Sequence, residues 1–274
     1  MSGVSVSQPM PSNGLDHVVI NVRFDVDEAQ ALFEGLGFTI TPRGHHSLGS
    51  VNHLMVFNTG YLELIGLPRG TDRLRQEIVD SPVGIDGLVA ATADADACHA
   101  AWTAQGLRVQ PVQHFSRPLE LGGREHIARF STARLEPGQL AAGRVYACQH
   151  HTPEYVWRPE WMQHANGVQG IAQLVVVSGQ PAQAQEDFAR LGPWGEGFGL
   201  EFTNAEGWSA RFGALAAYAP ARNDHFGAIR LPGGNLPDVA QRARRLGLPV
   251  AEVADRARVV VAIPPLQTLL EFVP

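Results

Sequence analysis

The stretch TGYLELIG, residues 59–66, sets a carboxylate inside a strand-like alternation. Tyr61, Glu63 and Ile65 fall on one face, and Leu62 and Leu64 on the other. If the first face lines an interior, Glu63 lines it too. A carboxylate there is costly unless something pairs with it, a metal or a nearby Arg or His. A second polar cluster is GHHSLGSVNHL, residues 44–54. Its Gly, Ser and Asn suit a turn between strands. In the strand that follows, Asn52 shares a face with Leu54 and Val56, and His53 shares the other with Met55. A pocket uses a few placed polar groups among apolar ones. Asn52, His53 and Tyr61 are therefore candidate substrate-binding residues. A third cluster, TPEYVWRPEW at 152–161, carries Tyr155, Trp157 and Trp161. Trp157 is a candidate for closing one end of a pocket with an aromatic ring. The alternative is a linker packed on both halves of the chain.

Other chemistries lack their motifs. There is no GxSxG nucleophile elbow and no GxxxxGK[ST] phosphate loop. GEGFG precedes a strand and lacks dinucleotide spacing, and RARRLG reads as the polar face of a helix. The formal net charge of −6 argues against a nucleic-acid surface. Cys98 and Cys148 form neither a disulfide framework nor a CxxC motif, so a reducing cytoplasm is the expected compartment. The N-terminal MSGVSVSQPMPSNG lacks the features of a signal peptide and reads as a loose tail over 1–13. No apolar run approaches the roughly 18 residues of a membrane span.

The elements that must position these residues repeat. LDHVVINV at 15, IDGLVAAT at 85, IAQLVVVS at 171 and FGAIRLPG at 226 are strand-like starts. Each is followed by a helix-like run ending in Leu-Gly or Gln-Gly, a stop signal. Further strands are expected at FTITP, LRVQPV, GLEFT and LPVAEV, and then at runs such as VNHLMVF, HIARFS, RVYACQ, WSARFGA, RVVVAI and TLLEFV. The unit is strand, helix and about three strands, repeated four times at about 50 to 70 residues, too few and too long for a solenoid.

This order, with LDHVVINV, LGFTITPRGHHSLGSVNHLMVF, GYLELIG and ACQHHTPEYVWRPEWMQHANG, resembles the vicinal oxygen chelate superfamily. That superfamily includes glyoxalases, extradiol dioxygenases and bleomycin-binding proteins, and the closer likeness is to bacterial glyoxalase-like domain proteins. The resemblance implies an α+β fold of four βαβββ modules. They would pair into two domains whose curved mixed sheets enclose cavities. The expected layout is domain 1 over 14–152, a linker over 153–168 and a degenerate domain 2 over 169–274. Pairing of modules one and four is an open alternative.

In such proteins metal ligands come from the first and last strands of each module. His17 and Glu63 hold those positions in module one, as metal ligands and catalytic residues. In module two the first slot is Gly87, which cannot ligate. The last falls near Cys148, with His150 on the same strand face as the candidate third ligand. In the second half, Gln173 and Glu271 occupy ligand slots, while Ala228 and roughly Gly213 fill the others. The residue types suit Zn, Fe, Mn, Ni or Co without choosing among them. Two functions stay open. One is a metal-dependent lyase, isomerase or dioxygenase for a small oxygen-rich substrate. The other is a metal-free binding protein of the bleomycin-resistance kind. The expected partner is a small-molecule ligand, without nucleic acid or membrane; a homodimer is left open.

Overall fold

The computed structural model describes residues 14–253 and 257–274; the tail expected over 1–13 lies outside them. Module one comprises β1 (Leu15–Arg23), α1 (Val26–Gly35), β2 (Gly44–His45), β3 (Val51–Phe57) and β4 (Gly60–Gly66). A short helix, α2 (Gln76–Asp80), leads to module two: β5 (Gly84–Ala91), α3 (Ala95–Ala104), β6 (Gln113–Leu121), β7 (Arg124–Arg134) and β8 (Arg144–His150). Module three has β9 (Gln173–Val177), α4 (Pro181–Ala189), β10 (Gly199–Thr203) and α5 (Ala205–Phe212). Module four has β11 (His225–Leu231), α6 (Leu236–Arg245), β12 (Val250–Val253), β13 (Arg258–Ile263) and β14 (Thr268–Phe272).

The four module helices end where their dipeptides predicted. Gly37, Gly106, Gly192 and Gly247 all take positive φ, between 69° and 97°. Only glycine adopts that region freely, so each turns the chain out of its helix. Starts are capped at Asp94, whose side chain accepts from Ala97 N, and at Asn235, which accepts from Asp238 N.

Modules one and two form one eight-stranded sheet in the order β2-β3-β4-β1-β5-β8-β7-β6; modules three and four form a six-stranded sheet, β10-β9-β11-β14-β13-β12. Consecutive modules therefore pair, and the alternative of modules one and four is set aside. Within each module the first and last strands run parallel, while β1 and β5 join the two halves antiparallel. The ends of the first sheet nearly meet: Ser47 N donates to Ser116 O at 3.0 Å. The sheet thus curls into a cup. The cup interior packs Val19, Leu54, Tyr61, Phe130 and Tyr146, with Trp157 and Trp161 at its side. The outer faces of both sheets and their helices share a single core, running from Val18 and Phe33 to Phe226 and Phe272.

Three expected strands are absent. FTITP forms none; Thr39 N instead donates to His164 Nδ1 at 3.0 Å, and Pro42 has no N–H for a ladder. LRVQPV makes only one bridge, Val109 to Leu135. WSARFGA is helical at its core, in α5. Trp208 and Phe212 are four residues apart, both buried, with ring centroids 4.3 Å apart. That spacing is a helical period, and Asn204 caps the helix by accepting from Gly207 N. Trp208, Phe212 and Leu215 fill the second sheet's interior.

No described helix is long and apolar enough to cross a membrane.

Candidate active site in the first sheet

The pairing of β1 with β5 slips between Leu15 and His17, leaving Asp16 as an extra residue. A bulge of this kind re-aims side chains. Here both neighbours end up buried, Asp16 at 2% and His17 at 3% exposure. His17 Nδ1–H donates to Asp16 Oδ1 at 2.5 Å. Asp16 Oδ2 also lies 3.1 Å from His150 Nε2. Tyr61 stacks on the His17 ring, centroids 4.4 Å apart and planes 13° from parallel. The imidazole is thus held on one edge and one face, with Nε2 free to point inward.

Glu63 meets it there. β1 and β4 are parallel neighbours in which Val19 pairs with Glu63, so His17 and Glu63 project from one face of adjacent strands. His17 Nε2 stands 3.5 Å from Glu63 Oε2 and 3.3 Å from the Tyr146 hydroxyl. Tyr146 comes from the repeated half of the sheet. LDHVV aligns with IDGLV, which makes Val89 the counterpart of Val19. Val89 pairs with Tyr146 as Val19 pairs with Glu63. The last-strand slot of module two therefore holds Tyr146, and the expectation of Cys148 there was one turn of the alternation too far along β8. Asn52 lies across the sheet on β3 and donates from Nδ2 to Glu63 Oε1 at 2.6 Å. His46 Nε2 is 4.0 Å from the same oxygen.

Burial works to neutralise both central groups, but their partners win. Desolvation would lower the His17 pKa, yet the Asp16 and Glu63 carboxylates raise it to about 9. Desolvation would raise the Glu63 pKa, yet His17, His46 and Asn52 bring it down to about 2. His46 goes the other way: burial, with Arg117, Arg75 and Arg134 nearby, lowers it to about 3. Burial also pushes the Tyr146 phenol up, so it is a hydroxyl donor at neutral pH.

These groups line a cavity of about 30 Å³, room for a water-sized occupant. Four arginines, Arg75, Arg117, Arg134 and Arg144, are in its wall. Glu77 on α2 ties three of them: it bonds Arg75 at 2.6 Å and Arg134 and Arg144 at 2.8 Å each. Arg144 also pairs with Asp86. A wider pocket of about 540 Å³ adjoins, sharing Arg134, Arg144 and Tyr146 with the inner cavity. The linker closes another side, where Val156 lines the cavity.

The remaining sequence candidates fall into three places. Trp157 packs on His150 and Tyr61, with centroids at 4.9 and 5.9 Å, so it backs the site through their rings. His53 faces away from the cavity: its Nδ1 bonds Thr41 O at 2.8 Å and its Nε2 accepts from Arg43. It alternates with Asn52 and so takes the opposite face of β3. His150 does not join His17 and Glu63; it sits behind Asp16. Gln173 and Glu271 lie in the second sheet, in a different interior. Glu271 is fully buried and bonded by Arg211, Arg230 and Arg258. Three guanidinium groups around one carboxylate leave no favourable place for a cation, so Glu271 is a structural acid. Asp16, Tyr146 and Arg117 were missed. For Tyr146 the signal was present in the module alignment; for Asp16 it was only its adjacency to His17.

Among the described residues, two sets could hold a metal. The Nε2–Oε2 spacing of His17 and Glu63 is that of two ligands sharing one ion at about 2.0–2.2 Å. Asp16 behind His17 is the usual carboxylate support for a ligating imidazole. Asp16, Cys148 and His150 form the other set, with ligand atoms within 4.8 Å of one another. That second set is poorly prepared. Burial pushes the Cys148 thiol well up, and Asp16 is already shared by two imidazoles.

The profile of the glyoxalase-like domain family matches residues 15–192. No curated protein sequence matches the chain. Among solved structures, a hypothetical protein from Staphylococcus aureus is similar at 10% identity and a TM-score of 0.67, with 96% of this chain and 99% of that one covered. A xylose isomerase-like TIM barrel/4-hydroxyphenylpyruvate dioxygenase fusion protein is similar at 11% identity and a TM-score of 0.59; 97% of this chain corresponds to only 50% of that one. A mutant of 4-hydroxymandelate synthase from Streptomyces coelicolor matches at 12% identity and a TM-score of 0.52, covering 96% of this chain and 92% of that one. At such identities these structures establish the fold alone. The profile match covers well over half of the 274 residues, and with the paired βαβββ architecture it places the chain in the glyoxalase-like domain family of the vicinal oxygen chelate superfamily.

Proposed function

We propose that the first-sheet cavity is a metal-dependent catalytic site for a small oxygen-rich substrate, working as a lyase, isomerase or dioxygenase. One observation carries this reading: a buried His17 backed by Asp16 presents Nε2 to Glu63 Oε2 at 3.5 Å. A divalent ion bound by these two would act as a Lewis acid toward two neighbouring substrate oxygens. His17 would keep its Nδ1 proton on Asp16 and release any Nε2 proton when the ion binds. Glu63 Oε2 would ligate, while Oε1, held by Asn52, would be the atom placed to receive a substrate proton. The Tyr146 hydroxyl would donate to a substrate oxygen from the opposite side. Trp157, Tyr61 and Val156 would keep water out.

A metal-free binding function is the second reading. It is favoured by Gly87, which supplies no ligand in module two, and by the arginine-rich wall. One experiment separates the two. Tag-free protein is analysed for metal as purified and again after dialysis against Zn, Mn, Fe, Co or Ni. Stoichiometric metal in the wild type, lost in Glu63→Gln without loss of fold, supports the catalytic reading. Failure to retain any of these ions sinks it and leaves the binding function.

A further inference from the structure

Strand β6 shows an unusual burial pattern. Of its nine residues, only Arg117 is buried, at 3% exposure. A lone buried cation on an otherwise wet strand is not explained by packing, because arginine is among the residues least often buried without a partner. The other three cavity arginines have carboxylates: Glu77 bonds all of them and Asp86 bonds Arg144. Arg117 has none within ion-pair distance among the described residues. Its hydrogen bond is from Nη1 to Asn52 Oδ1 at 3.2 Å, and its Nε is buried with no acceptor among the described residues. A desolvated N–H without a partner is unfavourable, because it gives up its hydrogen bonds to water and gains none in return.

The surroundings hold the guanidinium in place. Gly44 on β2 lies directly beneath it. A Cβ at that position would come within 2.4 Å of Arg117 Cδ and 2.6 Å of Nη1. The absent side chain at Gly44 is what lets the arginine cross from one end of the sheet to the other. Asn52 bridges Arg117 to Glu63, so the cation is joined to the proposed catalytic carboxylate through one amide. With Nη1 taken by Asn52, the Nε–Nη2 edge remains. That edge is the fork that binds a planar carboxylate through two parallel hydrogen bonds.

We propose that Arg117 anchors a carboxylate group of the ligand that occupies this cavity. The inference rests on the cavity being a ligand site, as argued above, and not on the bound metal. In the metal-dependent reading, the substrate would carry its carboxylate toward β6 and its reacting oxygens toward His17 and Glu63. The inner space is small, so a carboxylate that binds must widen it, with the larger adjoining pocket as the approach.

The test uses trifluoroacetate and its neutral isostere trifluoroacetamide, followed by fluorine NMR on chelated, metal-free full-length protein. Chelation separates the anion site from the metal. The wild type is expected to bind trifluoroacetate saturably and more tightly than the amide. Arg117→Met should weaken trifluoroacetate roughly 10- to 100-fold, about the worth of one charge-assisted hydrogen bond, and leave the amide unchanged. Arg117→Lys, which keeps the charge but not the fork, should fall between. Thermal melting checks folding, and Arg117→Met should melt no lower than wild type, because it removes a buried cation that has no counter-ion. A variant with lowered melting and unchanged trifluoroacetate affinity would make Arg117 structural and overturn the inference. Val156→Phe, which fills the cavity from the linker, distinguishes the remaining failures. Binding that survives Arg117→Met but is lost in Val156→Phe refutes the anchor while keeping the cavity as a ligand site. Binding that survives both, or no binding by the wild type, refutes both.

Discussion

Asp16 and His17 are consecutive in the chain, and in a regular strand they would point to opposite faces. The slip between Leu15 and His17 makes them partners instead. Asp16 then does two things: it fixes which His17 nitrogen carries the proton, and it holds His150 at 3.1 Å. Asp16→Asn keeps the size and removes the charge. If Asp16 orients a ligating imidazole, metal affinity should fall about 10- to 100-fold, measured by competition with a chromogenic chelator. Equal affinity in the variant would mean that His17 needs no support or that the ion lies elsewhere. The competing Asp16–Cys148–His150 set makes a different forecast: Cys148→Ser would remove the metal, whereas with His17 and Glu63 as ligands it should leave the metal in place.

At the scale of elements, α5 replaces strands that the repeat calls for. Its Trp208 and Phe212 occupy the interior where the first sheet keeps its cavity. The second half of the chain therefore uses its cup as core. Trp208→Ala should cost about 3–5 kcal/mol, as large-to-small core changes do, and should leave ligand or metal binding in the first sheet unaltered. Denaturant unfolding with a parallel binding assay checks both. Asn204→Ala, which deletes the cap, should cost about 1 kcal/mol. A Trp208 variant of unchanged stability would show that α5 does not carry the second interior. Helix α2 has the opposite character. It is short, and its Glu77 gathers three arginines from β7, β8 and the preceding loop.

At the scale of the molecule, the two sheets have separate interiors and a shared outer core. Phe38 from the first half meets Phe272 from the second, ring centroids 6.2 Å apart, and Trp102 Nε1 donates to Leu191 O at 3.0 Å. A core continuous across both sheets predicts one cooperative transition, with calorimetric and van't Hoff enthalpies equal. Two resolved transitions would show that the sheets fold as independent units. Acid should weaken the whole. In Glu77 and Glu271 burial alone would raise the pKa, but the surrounding arginines hold each carboxyl below its ordinary value. A carboxylate with a depressed folded pKa contributes its stability above the unfolded value, about 4.3, and loses it as pH falls through the folded one. Melting temperature should therefore drop steadily below about pH 4.3. Glu271→Gln should flatten that part of the profile; an unchanged profile would assign the acid response to other groups.

The sequence by itself determined the module order, the helix ends and the inward face of Glu63. Those rest on local physics: a period of two in YLELIG, four glycines that leave their helices at positive φ, and strand starts alike enough to align. It also put His17 and Glu63 in matching slots by resemblance. It misread WSARFGA, because its five residues from Trp208 to Phe212, with large groups at both ends, fit a strand or one turn of helix equally well, and only the interior of the second sheet decided between them. The site's chemistry was decided by tertiary structure. A one-residue bulge turned Asp16 toward His17, and the strand register chose Tyr146 over Cys148. Closure of the sheet laid Arg117 over Gly44, 73 positions earlier in the chain. The bulge and the register are set by how strands distant in the chain pair within the sheet, and the Arg117–Gly44 contact exists only once the sheet has curled and brought its edge strands together.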